Sequence, residues 1–242
     1  MPHSTTDFSV SPDERQIVYS TNLQGRYDLW ALDHNQGYPY PLTKKGQMSF
    51  FIKHLPGSQM ILTGFDNDGD EDWGGGPRLD IVAGMDWLDR QGKSQAGKWF
   101  CVGGSYGGYM ALLLHGRHPE LFKAFVDQFG PSNLFTTIET APEHWKAADA
   151  ELIGDPIVDR DRLIEDSPMT YLDATIKPML VVQGANDPRV VQKESDAIVE
   201  ALRGRGQDVE YILLPDEGHG YSKTENAIMV YKAIVEFLAK YI

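Results

Sequence analysis

The sequence predicts an α/β fold: a mostly parallel sheet flanked by helices, preceded by an antiparallel β segment. Three observations predict it. From Gly76 onward, short apolar runs alternate with stretches of helical period, the pattern of βαβ units around a sheet covered on both faces. Residues 1–72 carry strand-like alternation and turn residues but no helical stripe. Within the second part stands a strand, a Gly-x-Ser-x-Gly turn and a helix, from Trp99 to about Gly116.

In the first part, Gln16–Ser20 and Tyr27–Asp33 are short apolar and aromatic runs separated by the turn-like Asn22-Leu23-Gln24-Gly25. Ser49–His54 and Gln59–Phe65 follow, separated by Pro56-Gly57-Ser58, and the four read as an antiparallel meander. In the second part, Pro77 suits the first turn of a helix. Leu79–Gln91 then spaces Ile81, Val82, Met85, Trp87 and Leu88 near a helical period. Trp99–Gly103, Lys123–Phe129, Pro178–Gly184 and Val209–Leu214 read as strands, and Val190–Arg203 as a helix. The last helix, about Lys223–Tyr241, aligns Ala227, Tyr231, Ile234 and Leu238 at i, i+4, i+7 and i+11.

The composition is that of one good core or a domain with a smaller appendage. Against 22 Lys and Arg stand 35 Asp and Glu, a net charge of −13 with a pI near 4.9, which argues against nucleic acid or an anionic membrane as partner. The single cysteine, Cys101, excludes an intrachain disulfide, and the N-terminus has neither the basic nor the apolar region of a signal peptide. A cytoplasmic protein without membrane spans is expected. Cys101 itself reads as a small hydrophobe in the strand before the serine. The acidic run from Asp66 to Asp72 departs from a calcium-loop pattern, because Glu71 stands where glycine is needed. No metal and no cofactor are expected.

Gly103-Gly104-Ser105-Tyr106-Gly107 fits a nucleophile elbow, in which a strained turn lifts the serine above the sheet and aims a helix N-terminus at a developing oxyanion. Side chains two residues to either side of the serine are expected to collide with neighbouring backbone. A helix-capping serine in a glycine-rich turn is the plainer alternative, and the flanking strand and helix weigh against it. A serine hydroxyl needs a base, and the base an orienting acid. Of the seven histidines, His219 alone follows a late strand, in Asp216-Glu217-Gly218-His219-Gly220. Asp187 follows the strand ending at Gly184, although turns often carry such an aspartate before a proline. Ser105, Asp187 and His219 therefore lie beyond the carboxyl ends of three strands, where such sheets assemble sites. The fold expected is a shortened α/β-hydrolase.

Four stretches sharpen this: Asp72-Trp73-Gly74-Gly75-Gly76-Pro77, the elbow with its trailing Gly108-Tyr109, Asn186-Asp187-Pro188-Arg189-Val190, and Asp216-Glu217-Gly218-His219-Gly220. With them, residues from about Asp72 to Ile242 resemble the prolyl oligopeptidase family of serine peptidases, in its acylaminoacyl-peptidase and dipeptidyl-peptidase-like branch. The segment before them is similar to strands of that family's β-propeller, so a remnant over 1–72 and a catalytic domain over 73–242 are expected. The resemblance implies Ser105 as nucleophile, Asp187 as acid, His219 as base and the Tyr106 N–H as an oxyanion donor. It implies substrate contact at Arg189. Tyr109 and Trp145 are candidates for a substrate pocket, or equally core or rim aromatics.

The resemblance is incomplete. A closed propeller takes about 4–8 blades of about 40–45 residues each, and the N-terminal segment holds one or two. The first strands of the family's hydrolase sheet, with the loop bearing a further oxyanion donor, have no counterpart, as after an internal deletion. Losing one such donor costs about 10²–10³ in rate. The elbow strand then becomes a sheet edge that needs cover, from the N-terminal strands or from a second copy of the chain. The function implied is hydrolysis of short peptides through an acyl-enzyme. An impaired remnant acting as an interaction module, or an esterase for small esters, is the alternative.

Overall fold

The computed structural model describes residues 5–242 except 12, 22–27, 35–36, 44–48, 55–60, 66–71, 95–96 and 175–176. The turns expected at 22–25 and 56–58, Tyr27, the start of the strand expected from Gln59, and the acidic run 66–71 lie outside the described residues. The chain forms two compact units, Met1–Asp70 and Glu71–Ile242.

In the first unit, β1 (Thr5–Val10), β2 (Gln16–Thr21), β3 (Asp28–Asp33) and β4 (Tyr40–Pro41) form one antiparallel sheet in chain order. Alternation places Val18, Leu29 and Ala31 in a small core with Tyr40 against it. Gln16 Nε2 and the Tyr40 hydroxyl both donate to the Asp33 carboxylate, at 3.0 and 2.8 Å, tying β2 and β4 to β3. β5 (Ser49–His54) and β6 (Ile61–Phe65) form a separate two-stranded sheet. The expected four-strand meander is therefore corrected. The strands at 16 and 28 belong with β1 and β4, and among the described residues those at 49 and 61 form a sheet of their own.

The second unit carries α1 (Gly76–Arg90), β7 (Trp99–Gly104), α2 (Tyr106–Arg117), β8 (Phe122–Gln128), α3 (Leu134–Thr140), α4 (Lys146–Leu152), α5 (Arg160–Asp166), β9 (Met179–Gly184), α6 (Gln192–Gly204), β10 (Val209–Leu214) and α7 (Thr224–Ala239). Its four strands are all parallel, in the order β10-β9-β8-β7. Side chains alternate between two cores, as in a sheet covered on both faces. Phe125, Met179 and Val181 face Leu112 and Leu113 of α2 and Ile198 and Leu202 of α6. Ala124, Val126, Leu180 and Val182 face Val230, Ile234 and Phe237 of α7. The buried stripe of α7 is thus Val230–Ile234–Phe237. Tyr231, expected on that face, is 59% exposed, because an i, i+4, i+7 series also fits a helix face one residue away.

β7 pairs with β8 alone among the described residues, so the strand before the elbow is a sheet edge, with Val102 47% exposed. The glycine-rich segment from Asp72 opens α1: the Asp72 carboxylate accepts from the Gly75 and Gly76 N–H groups, both at 2.8 Å. Anions at a helix start are favoured by the free amides and the helix dipole.

Candidate active site

Ser105 sits between β7 and α2 at φ 56°, ψ −121°. Its N–H donates to the Gln128 carbonyl at the end of β8, 2.9 Å away. The turn is close-packed on one side. A Cβ at Gly103 would lie 2.0 Å from the Gly107 carbonyl oxygen. The same is not true of Gly107, where a Cβ meets nothing within 4 Å, so the expectation of symmetric crowding is corrected. The second crowded position is Gly108, whose Cβ would lie 2.8 Å from both the Gln128 carbonyl oxygen and the Gly130 Cα. Helix α2 crosses the end of β8 backbone against backbone there.

The loops after β9 and β10 meet across the sheet top. Ala185 N–H donates to the Leu214 carbonyl and Asn186 N–H to the Glu217 carbonyl, each at 2.9 Å. A Cβ on Gly184 would stand 2.2 Å from the Gly218 oxygen. This close approach places Asp187 beside His219: His219 Nδ1 lies 2.7 Å from Asp187 Oδ2, and His219 Nε2 lies 2.8 Å from Ser105 Oγ. Asp187 Oδ1 accepts from the Arg189 and Val190 N–H groups at 2.8 and 3.0 Å. Burial pushes the Asp187 carboxyl up, but its bonds from His219 and these two amides prevail and hold it below its ordinary value. An ionised Asp187 accepts Nδ1–H, which leaves Nε2 free to accept the serine proton.

The remaining expected residues divide. Tyr106 is the first residue of α2, where helical N–H groups have no partner within the helix. Its hydroxyl donates to the Trp73 carbonyl at 2.6 Å and its ring packs edge-on to Trp73. The Arg189 guanidinium lies over the Trp145 ring, 5.4 Å from its centre, a cation–π pair that the structure brings together at the rim of the Asp187 loop. Tyr109 takes the core alternative: it is fully buried, with its hydroxyl donating to the Asp166 carbonyl at 2.8 Å. The Cys101 thiol, desolvated and near the Asp127 carboxyl, is pushed up to about 12 and is no nucleophile at neutral pH. Among the described residues, no three His, Cys, Asp or Glu side chains gather as metal ligands.

Two residues of the site were not singled out from the sequence as more than neighbours of it. Glu217 is buried, and its carboxylate accepts from Ser222 N–H and Oγ, Lys223 N–H and Asn226 Nδ2 at 2.5–3.0 Å. It closes the His219 loop onto the start of α7, and the bonds from Ser222 and Asn226 hold its carboxyl down at about 2. Phe129, just past β8, has φ 46° and its ring centre lies 4.9 Å from that of His219. A glutamate five residues before a serine–lysine pair at a helix start could have signalled the first. Nothing in the sequence signals the second.

A parallel sheet with helices on both faces, a serine on a strained strand-to-helix turn, and a histidine and aspartate on the loops of the next strands define an α/β-hydrolase. The solved structures agree. An acylaminoacyl peptidase complexed with Z-Gly-Gly-Phe-chloromethyl ketone superposes with a TM-score of 0.67 at 16% identity, over 98% of this chain and 56% of its own. A Pyrococcus horikoshii acylaminoacyl peptidase gives 0.67 at 17%, over 100% and 50%. The chain belongs to the prolyl oligopeptidase family, whose model matches residues 34–242. It is 38% identical to dipeptidyl aminopeptidase BIII of Pseudoxanthomonas mexicana over 87% of its length, and spans 32% of that relative. It is likewise 38% identical to dipeptidyl peptidase family member 6 of Caenorhabditis elegans, over 71% of this chain and 24% of that one.

Proposed function

We propose that this chain is a serine peptidase that hydrolyses short peptides through an acyl-enzyme on Ser105. The observation that carries the reading is the unbroken line of hydrogen bonds from Ser105 Oγ through His219 to Asp187. In the proposed cycle His219 Nε2 takes the serine proton as Oγ attacks the scissile carbonyl, and returns it to the leaving amine. Water, deprotonated by the same nitrogen, then releases the acyl group. The Tyr106 N–H stabilises the oxyanion, aided by the N-terminus of α2. Arg189, stacked on Trp145, holds the substrate main chain. Residues 1–72 are read as a propeller-like remnant and 73–242 as the catalytic domain, and the single cysteine supports a reducing, cytoplasmic compartment.

Among the described residues of the second unit the sheet ends at β7, and no further strand of that unit supplies a second oxyanion loop. That favours small esters, whose leaving group demands less of the oxyanion site, as faster substrates than amides. The same edge supports pairing of two copies through β7.

The test is hydrolysis of a fluorogenic dipeptide amide, an N-acetyl-aminoacyl amide and a small nitrophenyl ester by the purified chain. Turnover of either amide, lost by about 10⁴–10⁶-fold in Ser105→Ala, is expected. A folded chain that turns over none of the three contradicts the proposal. Turnover of the ester alone replaces peptidase by esterase.

A further inference from the structure

We infer that Phe129 is a positioning residue: its ring holds the His219 imidazole in the plane that serves both Ser105 and Asp187. The catalytic meaning of this rests on the proposed function, whereas the placement itself stands on geometry. Among the described residues, positive φ at a non-glycine occurs only at Glu14, Ser105 and Phe129. Two of these three lie at one site. A left-handed backbone is costly for a bulky aromatic and persists only where its surroundings over-determine it.

They do so here. Phe129 N–H donates to the Val182 carbonyl of β9 at 2.8 Å. The residue before it accepts the Ser105 N–H, and the turn is closed by Gly130 N–H donating to Asp127 Oδ1 at 2.9 Å. The result of the strained turn is the direction of the ring. It stands 4.9 Å from the His219 ring at 59°, and 5.8 Å from Tyr221 at 68°. Its edge would lie 3.2 Å from a Cβ on Gly104. The ring thus fills the space between the elbow and the base loop, and the Tyr221 hydroxyl bonds Gln128 Oε1 beside it at 2.6 Å.

The imidazole needs such a support. Its bonds to Ser105 and Asp187 leave from the two ring nitrogens on either side of Cε1. Two hydrogen bonds tolerate a tilt of the ring before either is lost, because their strength falls off only gradually with angle. Such a tilt swings Nε2 away from the Ser105 hydroxyl and, once protonated, its N–H away from a leaving amine. A ring packed against the imidazole supplies the missing constraint, and orientation of this kind is a large part of what an active site contributes.

The experiment is side-chain NMR of the histidines in the full chain, with His219 assigned by His219→Gln, alongside the rate of fluorophosphonate labelling of Ser105. Phe129→Gly removes the ring and relieves the backbone. The expected result is a changed set of through-space contacts from the His219 ring protons to the Ser105 and Asp187 loops, beyond the shift change that loss of a neighbouring ring current alone gives, with a thermal midpoint equal to or above the parent's. Labelling slows by about tenfold or more, a part of the about 10²–10⁴ that a general base supplies. Phe129→Tyr, which keeps the ring, retains the parent's contacts and rate. Phe129→Asn, which tolerates the left-handed backbone, repeats the test should glycine loosen the turn. Unchanged through-space contacts of the His219 ring protons, or an unchanged labelling rate, in folded Phe129→Gly or Phe129→Asn overturn the inference. So does loss of the fold in both, which makes the ring a structural element only. A folded parent that does not label sinks the proposed function, while the through-space contacts still decide the placement of His219.

Discussion

β7 and β9 carry two members of one candidate triad from opposite situations. Every residue of β9 is buried, and none of β7 is. The aspartate is therefore placed by packing. Its strand is locked between two cores, and its loop is pressed onto the next loop through Gly184. The serine is placed by local backbone geometry on a sheet edge, through the strained turn, the fit of Gly103 and one bond to β8. A nucleophile elbow so built draws its geometry from β7, β8 and α2.

The largest expected effects fall on the packed side. Gly184→Ala drives a Cβ into the Gly218 carbonyl. It should cost about 3 kcal/mol or more and lower the thermal midpoint by about 6–12 °C, with loss of Ser105 labelling. Leu180→Ala, in the core between β9 and α7, should cost about 2–5 kcal/mol in denaturant unfolding. Equal losses from Val102→Ala on β7 would break the comparison, since that half-exposed site should change stability by about 0.5 kcal/mol or less. At the elbow, Gly103→Ala should destabilise clearly, whereas Gly107→Ala should be neutral or stabilise by up to about 1 kcal/mol. Val102→Lys should leave stability alone and reduce any self-association seen by sedimentation.

Smaller effects come from two buried carboxyls of opposite sign. Glu217 sits at about 2 rather than its ordinary 4.5. Its contribution is present above about 4.5 and is lost as pH falls toward 2, so Glu217→Gln should weaken stability at neutral pH and flatten the acid limb. Asp127 is fully buried beneath α2, with one oxygen unpartnered, and burial pushes its carboxyl up from 3.8 to about 8. The folded state then keeps a proton the unfolded state has lost, and stability declines as pH rises from about 3.8 to 8. Asp127→Asn keeps the acceptor for Gly130 and should remove that decline. Glu194, Cys101, Tyr211 and Tyr221 are the titratable neighbours that share its field. Unfolding midpoints measured from about pH 2 to 8 check both.

The sheet of the second unit was legible because buried parallel strands are continuous apolar runs, as Met179–Val182 is, with Val209–Leu214 interrupted only by Glu210. The residues brought together at the site were legible as positions just past strand ends, with glycine beside Ser105 and on both sides of His219. The three helices α3, α4 and α5 were not foreseen, because they are short and their burial comes from a few residues such as Leu134 and Leu163 rather than from a stripe. β1 was missed for a similar reason: Phe8 and Val10 are exposed, so its alternation does not report a core. Tyr109 stayed undecided because a trailing aromatic one helical turn past the serine points either outward or down, and its partner, the Asp166 carbonyl, is distant in sequence. Phe129 could not be read at all, since its role comes from a positive φ that no residue type announces.

The measurement that bears most directly on the account is intact-mass analysis of the native chain after a fluorophosphonate probe. The account predicts one adduct, on Ser105, absent in Ser105→Ala and in heat-denatured protein, and strongly slowed in His219→Gln. A folded chain without adduct, or an adduct that forms equally fast in His219→Gln, would contradict a working Ser105–His219–Asp187 line.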